Sequence, residues 1–223
     1  MTILDAIKAR HSVRSYQNQR LPKELIDQLE NEILACNKAG GLHIQLVTDE
    51  PKAFDSFMAH YGKFSGVQNY IALIGPKSAV LDEKLGYYGE RLALLAQTLG
   101  LNTCWVAMSF SKGVTKSRCQ IGPGEKLVCV LALGYGATQG ISHTSKALQE
   151  VCADAGALPD WFRCGMDAVL LAPTAMNQQK FMLSLHENQV TAKATGGFYS
   201  KVDLGIVKYH FEIGAGTEHF TWQ

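Results

Sequence analysis

Pro22 and Pro159 stand 137 positions apart, and each opens a segment with apolar residues at helical spacing that leads through a turn into a short apolar run. The register between the two segments holds without a gap: Ala35 falls on Ala172, Ile44 on Phe181 and Leu46 on Leu183. A second echo, 114 positions apart, sets Asp203–Ile213 followed by Gly214 against Gly89–Leu99 followed by Gly100. Recurrence of helix, turn and strand in one order predicts a chain of two related halves. Since any two helix–turn–strand units look alike, the pattern alone leaves coincidence open. With 223 residues to place, the expectation is one domain over 1–223 built of two intertwined repeats, about 1–140 and 141–223.

Local signals divide the chain further. Thr2 with Asp5 three residues on resembles a capping box, opening a helix through Ile3, Leu4 and Ile7 toward Arg10. Pro22 suits a first helical residue, and Leu25, Ile26, Leu29 and Ile33 carry that helix to a stop at Gly40-Gly41. Strands are predicted at His43–Val47 and at Tyr70–Ile74, the second closed by Gly75-Pro76. A helix follows through Tyr87–Leu99, with Leu92, Leu95, Ala96 and Leu99 on its buried face and its end at Gly100. The apolar run Leu127–Leu133 predicts a central strand.

Composition excludes several classes. A formal charge of +1 and a pI near 7.6 leave no excess field for a polyanion, so no nucleic acid partner is expected. The longest apolar stretches, Leu92–Leu101 and Val128–Leu133, fall short of the ~18–20 residues that cross a bilayer. Asp5, Lys8, Arg10 and Arg14 break up the start as no secretory signal would, which predicts a cytoplasmic protein away from membranes. The six cysteines form no C-x-x-C pair and the seven histidines show no ligand spacing, so no metal site is expected. The cysteines read as small buried hydrophobes.

Three stretches could carry chemistry. In Arg10-His11-Ser12-Val13-Arg14, alternate positions of an extended segment turn two guanidiniums and a hydroxyl to one side, a set that fits a phosphate. A solvated charged turn would show the same residues. Ala172–Gln179 breaks an apolar helix with Pro173 and sets hydroxyl and amide groups on a turn, which suits a heteroaromatic ring or, more simply, a polar helix end. Lys146 is a further cation able to serve a phosphate, or an exposed lysine at a helix start. Gly134-Tyr135-Gly136-Ala137-Thr138-Gln139-Gly140 has the wrong glycine spacing for a dinucleotide fold, and the chain holds no G-x-S-x-G elbow.

Taken in order, Arg10–Tyr16, Leu95–Val106, Leu131–Gly136 and Ala172–Gln179 resemble the FMN-dependent nitroreductases. In that family an A-P-S-x-x-N-x-Q motif directly follows the arginine motif. Here it stands late, as Ala172-Pro173-Thr174-Ala175-Met176-Asn177-Gln178-Gln179, and the direct position holds Ala35–Gly40. The arrangement is similar to the TM nitroreductase branch, in which one chain mimics the family's dimer. The resemblance implies an α+β nitroreductase-like sandwich, a mostly antiparallel sheet flanked by helices, with internal duplication.

It further implies one FMN, complete within a single-chain pseudo-dimer, that passes hydride from NADH or NADPH to a small organic acceptor such as a nitroaromatic or quinone. Arg10, His11, Ser12 and Arg14 would hold its phosphate and ribityl chain, with Lys146 a second cation. Pro173, Thr174 and Asn177 would line the ring, and Thr103, Cys104, Trp105 and Val106 would pass their backbone along it, the Trp105 side chain being equally suited to the core. No catalytic side chain is expected, because hydride transfer belongs to the flavin. A flavoprotein that stores or senses FMN with little turnover is the alternative, and a pseudo-dimer that has lost its cofactor is disfavoured by the retained Arg10, Ser12, Arg14 and Asn177. Neither the acceptor nor the choice of nicotinamide follows from these residues.

Overall fold

The computed structural model describes residues 1–154, 156 and 158–223. The fold mixes helix and sheet, and its larger sheet is wholly antiparallel. The chain divides into two compact units that interleave along the sequence: residues 10–81 with 92–141, and residues 1–9 with 82–91 and 142–223.

The first of these is built on a four-stranded sheet. Its strands are β1 (Gln45–Val47), β2 (Asn69–Pro76), β3 (Asn102–Val106) and β4 (Glu125–Gly134), in the order β1-β2-β4-β3. The Leu127–Leu133 run takes the central place expected of it, between β2 and β3, and residues 127–134 are buried throughout. Burial on both faces explains why the run is continuously apolar and does not alternate. β2 is longer than its sequence suggests. Gly75 and Pro76 do not close it but pair with Lys126 and Glu125 past an irregularity at Leu73/Ile74, a place where a strand tolerates proline. Around Tyr70, the side chains of Val13, Tyr16, Phe54, Phe64, Cys104 and Val106 pack into one core. Helix α2 (Lys23–Gly40) starts one residue after Pro22, which serves as the cap, and stops at Gly41 in the left-handed region (φ 62°), where glycine carries no Cβ penalty. Two short helices, α3 (Phe57–Tyr61) and α5 (Lys112–Arg118), begin at Ser56 and Ser111, each accepting a backbone N–H as an N-cap.

The second unit is mainly helical. Helix α1 (Ile3–Ala9) opens on the expected capping box, with Asp5 N–H donating to Thr2 Oγ1 at 3.1 Å and Thr2 N–H to Asp5 Oδ2 at 3.0 Å. Helix α4 (Leu81–Thr98) begins six residues before the predicted start, and only residues 82–91 belong to this unit. The early turns escape notice because Gly86 and Gly89 interrupt the leucine pattern. Beyond α6 (Leu148–Val151) come α7 (Asp160–Val169) and α8 (Ser200–Ala215), with a small sheet of β5 (Phe181–His186), β6 (Gln189–Ala194) and β7 (Thr221–Trp222); β5 and β6 are antiparallel, β6 and β7 parallel.

Small residues let the helices of this unit approach closely. A Cβ on Gly205 would lie 1.9 Å from the Glu83 carbonyl oxygen, and one on Gly86 would lie 2.0 Å from that of Val202. Gly214 lies inside α8, packed on α7, and the helix ends at Gly216; packing, not termination, requires glycine at 214. Between α4 and α8, the fully buried His210 donates from Nδ1 to the Ala168 carbonyl at 2.9 Å and places Nε2 3.0 Å from Glu90 Oε1. Among the described residues, no helix is long and apolar enough to cross a membrane.

Candidate functional site

The basic motif lies in the first unit. After α1 ends at Ala9 the chain runs extended, and backbone bonds tie it down on two sides. Val13 N–H donates to the Thr103 carbonyl at 3.1 Å, Tyr16 N–H to that of Ser65 at 2.9 Å, and Ser65 N–H returns a bond to Arg14 at 2.9 Å. Ser12 pairs in parallel with Thr103 on β3. Val13 and Tyr16 turn into the core, where the Tyr16 hydroxyl donates to the Val13 carbonyl at 2.7 Å.

The predicted residues of this segment are not displayed alike. Ser12 and Arg14 are exposed and His11 is half-buried, but Arg10 is only 3% exposed. Arg14 holds its guanidinium 6.0 Å from the centre of the Phe64 ring, a cation–π contact that gives the long side chain a preferred place. Burial pushes the pKa of the Cys104 thiol up, and Arg14, Ser12 and Arg10 pull it the other way. On β3, Cys104 and Val106 turn into the core, the intervening Trp105 is half-buried, and Thr103 keeps a buried hydroxyl with no hydrogen-bond partner among the described residues. A cavity of about 320 Å³ lies nearby in this unit, lined by Phe54, Asp55, His60, Phe64, Gly66 and Gln68; it contains none of the predicted residues.

Lys146, Pro173, Thr174 and Asn177 lie in the second unit. Helix α7 ends at Val169, Pro173 is buried, and a single 3-10 turn follows at Ala175–Asn177. Met176, Asn177 and Gln179 take left-handed φ values of 52°, 53° and 45°. Each such non-glycine residue costs roughly 1–2 kcal/mol, so the turn keeps its shape only because other groups hold it.

Gln179, 4% exposed, is the hub. Its N–H donates to Thr174 Oγ1 at 3.0 Å, and its Nε2 donates to Asn177 Oδ1 at 2.9 Å and to the Thr144 carbonyl at 3.0 Å. Its Oε1 accepts the Lys146 backbone N–H at 2.8 Å, and its carbonyl accepts Lys146 Nζ at 3.1 Å. Asn177 in turn donates from Nδ2 to Thr144 at 2.9 Å. Thr174, Asn177 and Lys146 are thereby brought together. The Thr174 oxygen already accepts, so its own O–H remains a donor, and the Lys146 ammonium keeps further N–H groups. This cluster offers donors to an acceptor-rich or anionic ligand.

Sequence reasoning passed over the groups that shape this turn. Gln178 and Gln179 stand inside the Ala172–Gln179 motif, where nothing in the spacing sets them apart from the other polar residues of the turn. Asp203, 3% exposed on the first turn of α8, accepts Ala175 N–H at 2.9 Å and Gln178 Nε2 at 2.7 Å. Its only sequence signal is an acid near a helix start, which helix electrostatics would explain without any further partner.

Matches among solved structures define the class of the fold. A putative nitroreductase from Thermotoga maritima aligns over 96% of this chain and 83% of its own, at 22% identity and a TM-score of 0.65. An FMN-dependent nitroreductase from Clostridium difficile aligns over 66% of this chain and 96% of its own, at 18% identity and a TM-score of 0.52. A putative NADH dehydrogenase/NAD(P)H nitroreductase from Parabacteroides distasonis aligns over 67% and 95%, at 22% identity and 0.54. The fold is nitroreductase-like. No curated protein matches the chain. The family model described as Putative TM nitroreductase matches residues 2–215, and the chain belongs to that family.

Proposed function

We propose that the chain binds FMN and uses it to carry hydride from NADH or NADPH to a small organic acceptor such as a nitroaromatic or quinone. The observation that carries this reading is the pairing of the extended Arg10–Arg14 segment with β3, Ser12 beside Thr103 and the Val13 N–H on the Thr103 carbonyl. The residues suit the cofactor in their chemistry. Two guanidiniums and a hydroxyl match a phosphate, and the donors Thr174, Asn177 and Lys146 match the carbonyl oxygens and ring nitrogens of an isoalloxazine. Bound FMN would supply the hydride chemistry. The chain's own part is to grip the phosphate, orient the ring and present donors where negative charge develops.

One chain supplies both sets of residues, which supports a single-chain site and a degenerate pseudo-dimer. Consistent with this, ordinary nitroreductase-like chains are spanned almost whole by about two-thirds of this one. A cytoplasmic location belongs to the same reading. The test is the visible spectrum of the purified protein, followed by anaerobic mixing with NADH and with NADPH. Flavin bands that bleach rapidly are expected. A colourless protein that ignores added FMN would end the proposal, and bands that bleach only over many minutes would leave a storage or sensing protein in its place.

A further inference from the structure

The turn 174–179 is held by an ionisable group from outside the family motif. Each carboxylate oxygen of Asp203 accepts one donor from the turn, Oδ1 from the Ala175 backbone and Oδ2 from the Gln178 side chain. The two anchors bracket Met176 and Asn177, both left-handed. Gln178 also donates to the Phe198 carbonyl at 2.8 Å, so it has a competing acceptor if Asp203 stops accepting. We propose that Asp203 is the positioning residue of the flavin site: it holds the turn in the shape that displays Thr174 and Asn177, and flavin affinity depends on its carboxylate. The inference rests on the flavin reading above.

Burial pushes the Asp203 carboxyl up to about 6, the Gln178 and Ala175 hydrogen bonds offsetting part of the rise. The neighbouring elements of its unit hold titratable groups, most of them with partners of their own. On α4, Glu83 bonds Lys208 and Tyr87 bonds Glu212; on α1, Asp5 is bonded by Thr2; beside the turn, Lys146 bonds Gln179. Tyr199 and Lys201 flank the start of α8, and Lys180 follows the turn. Burial and the two hydrogen bonds from the turn set the charge of Asp203, burial being the larger influence. As the pH falls through about 6 the carboxyl takes up a proton and accepts less well, so the two bonds that Asp203 lends to the turn weaken.

The test is titration of the full-length apoprotein with FMN, followed by flavin fluorescence, at pH 8 and pH 5 for the wild type and for Asp203→Asn. The FMN phosphate also titrates near pH 6, so the quantity read is the ratio of the two affinities, from which the phosphate cancels. At pH 8 the variant should bind about tenfold more weakly, and at pH 5 the ratio should shrink to about twofold or less. Gln178→Leu removes one anchor with the carboxylate intact, and should also weaken FMN at pH 8. If Asp203→Asn does not fold, as judged by thermal melting, Gln178→Leu decides the matter. A ratio independent of pH, or a Gln178→Leu variant that binds like the wild type at pH 8, would overturn the inference and leave the flavin assignment standing. Wild-type protein that binds no FMN at either pH would overturn both.

Discussion

Arg10 and Arg14 look equivalent in the sequence and differ in the structure, and the difference decides how each should respond to mutation. Arg14 is exposed, so Arg14→Ala should leave folding nearly unchanged. The same change should weaken FMN by about 1.5–3 kcal/mol, roughly ten- to a hundredfold, if the guanidinium makes a charge-assisted bond to phosphate. Riboflavin, which lacks the phosphate, should bind the variant as it binds the wild type; an equal loss for both ligands would make Arg14 structural. Arg10 is 3% exposed, and Arg10→Ala should lower the melting temperature as well as the affinity. The motif R-x-S-x-R was legible because its spacing is local. The burial of its first arginine was not, since burial depends on which remote side chains close over a position.

Helix contacts show the same division at the scale of elements. Capping at Thr2–Asp5 and the central place of β4 follow from residues close in sequence, and the structure has both. The early turns of α4 and the role of Gly214 depend on α8 and α7, which meet them only in the fold. Gly205→Ala should therefore be costly, although alanine is the better helix former, because its Cβ would sit 1.9 Å from backbone that cannot swing aside. A loss of about 1–3 kcal/mol is expected, read as a fall in melting temperature of roughly 2–4 °C per kcal/mol for a chain of this size. Gly113→Ala is the control. Gly113 lies in α5 with nothing within 4 Å of a new Cβ, and there the substitution should be neutral or slightly stabilising. Equal melting temperatures for the two variants would mean that the close approach at Gly205 carries no weight.

For the whole molecule, the apparent duplication predicts one FMN per chain. Adding the 137-residue offset to Arg10, Ser12 and Arg14 leads to Ala147, Gln149 and Val151, which hold no cation and lie on or beside α6, Val151 fully buried. The reverse step from Pro173, Thr174 and Asn177 leads to Cys36, Asn37 and Gly40, all within α2. Asn37 is already committed to the chain turn, donating to the Ile44 carbonyl at 2.9 Å and accepting the Ile44 N–H at 2.7 Å. A second phosphate would meet no positioned cation to offset its desolvation. Titration of apoprotein with FMN, followed by light scattering, should give one equivalent bound to a monomer-sized species or to a simple multiple of it. Two equivalents per chain, or binding that appears only on dimerisation, would overturn the single-chain site.

What the sequence by itself determined are the features encoded over a few residues: caps, the double-sided apolar strand, the basic motif, and the order of motifs that marks the family. Interactions between residues far apart in the chain were decided only by the tertiary structure. The Ala175–Asp203 bond spans 28 positions and the Glu90–His210 contact 120, and neither leaves a periodicity to read. The physical reason is range. Propensity and capping act within a turn or two of backbone, whereas desolvation, close helix approach and the shaping of a strained turn depend on which distant groups share the same few ångströms.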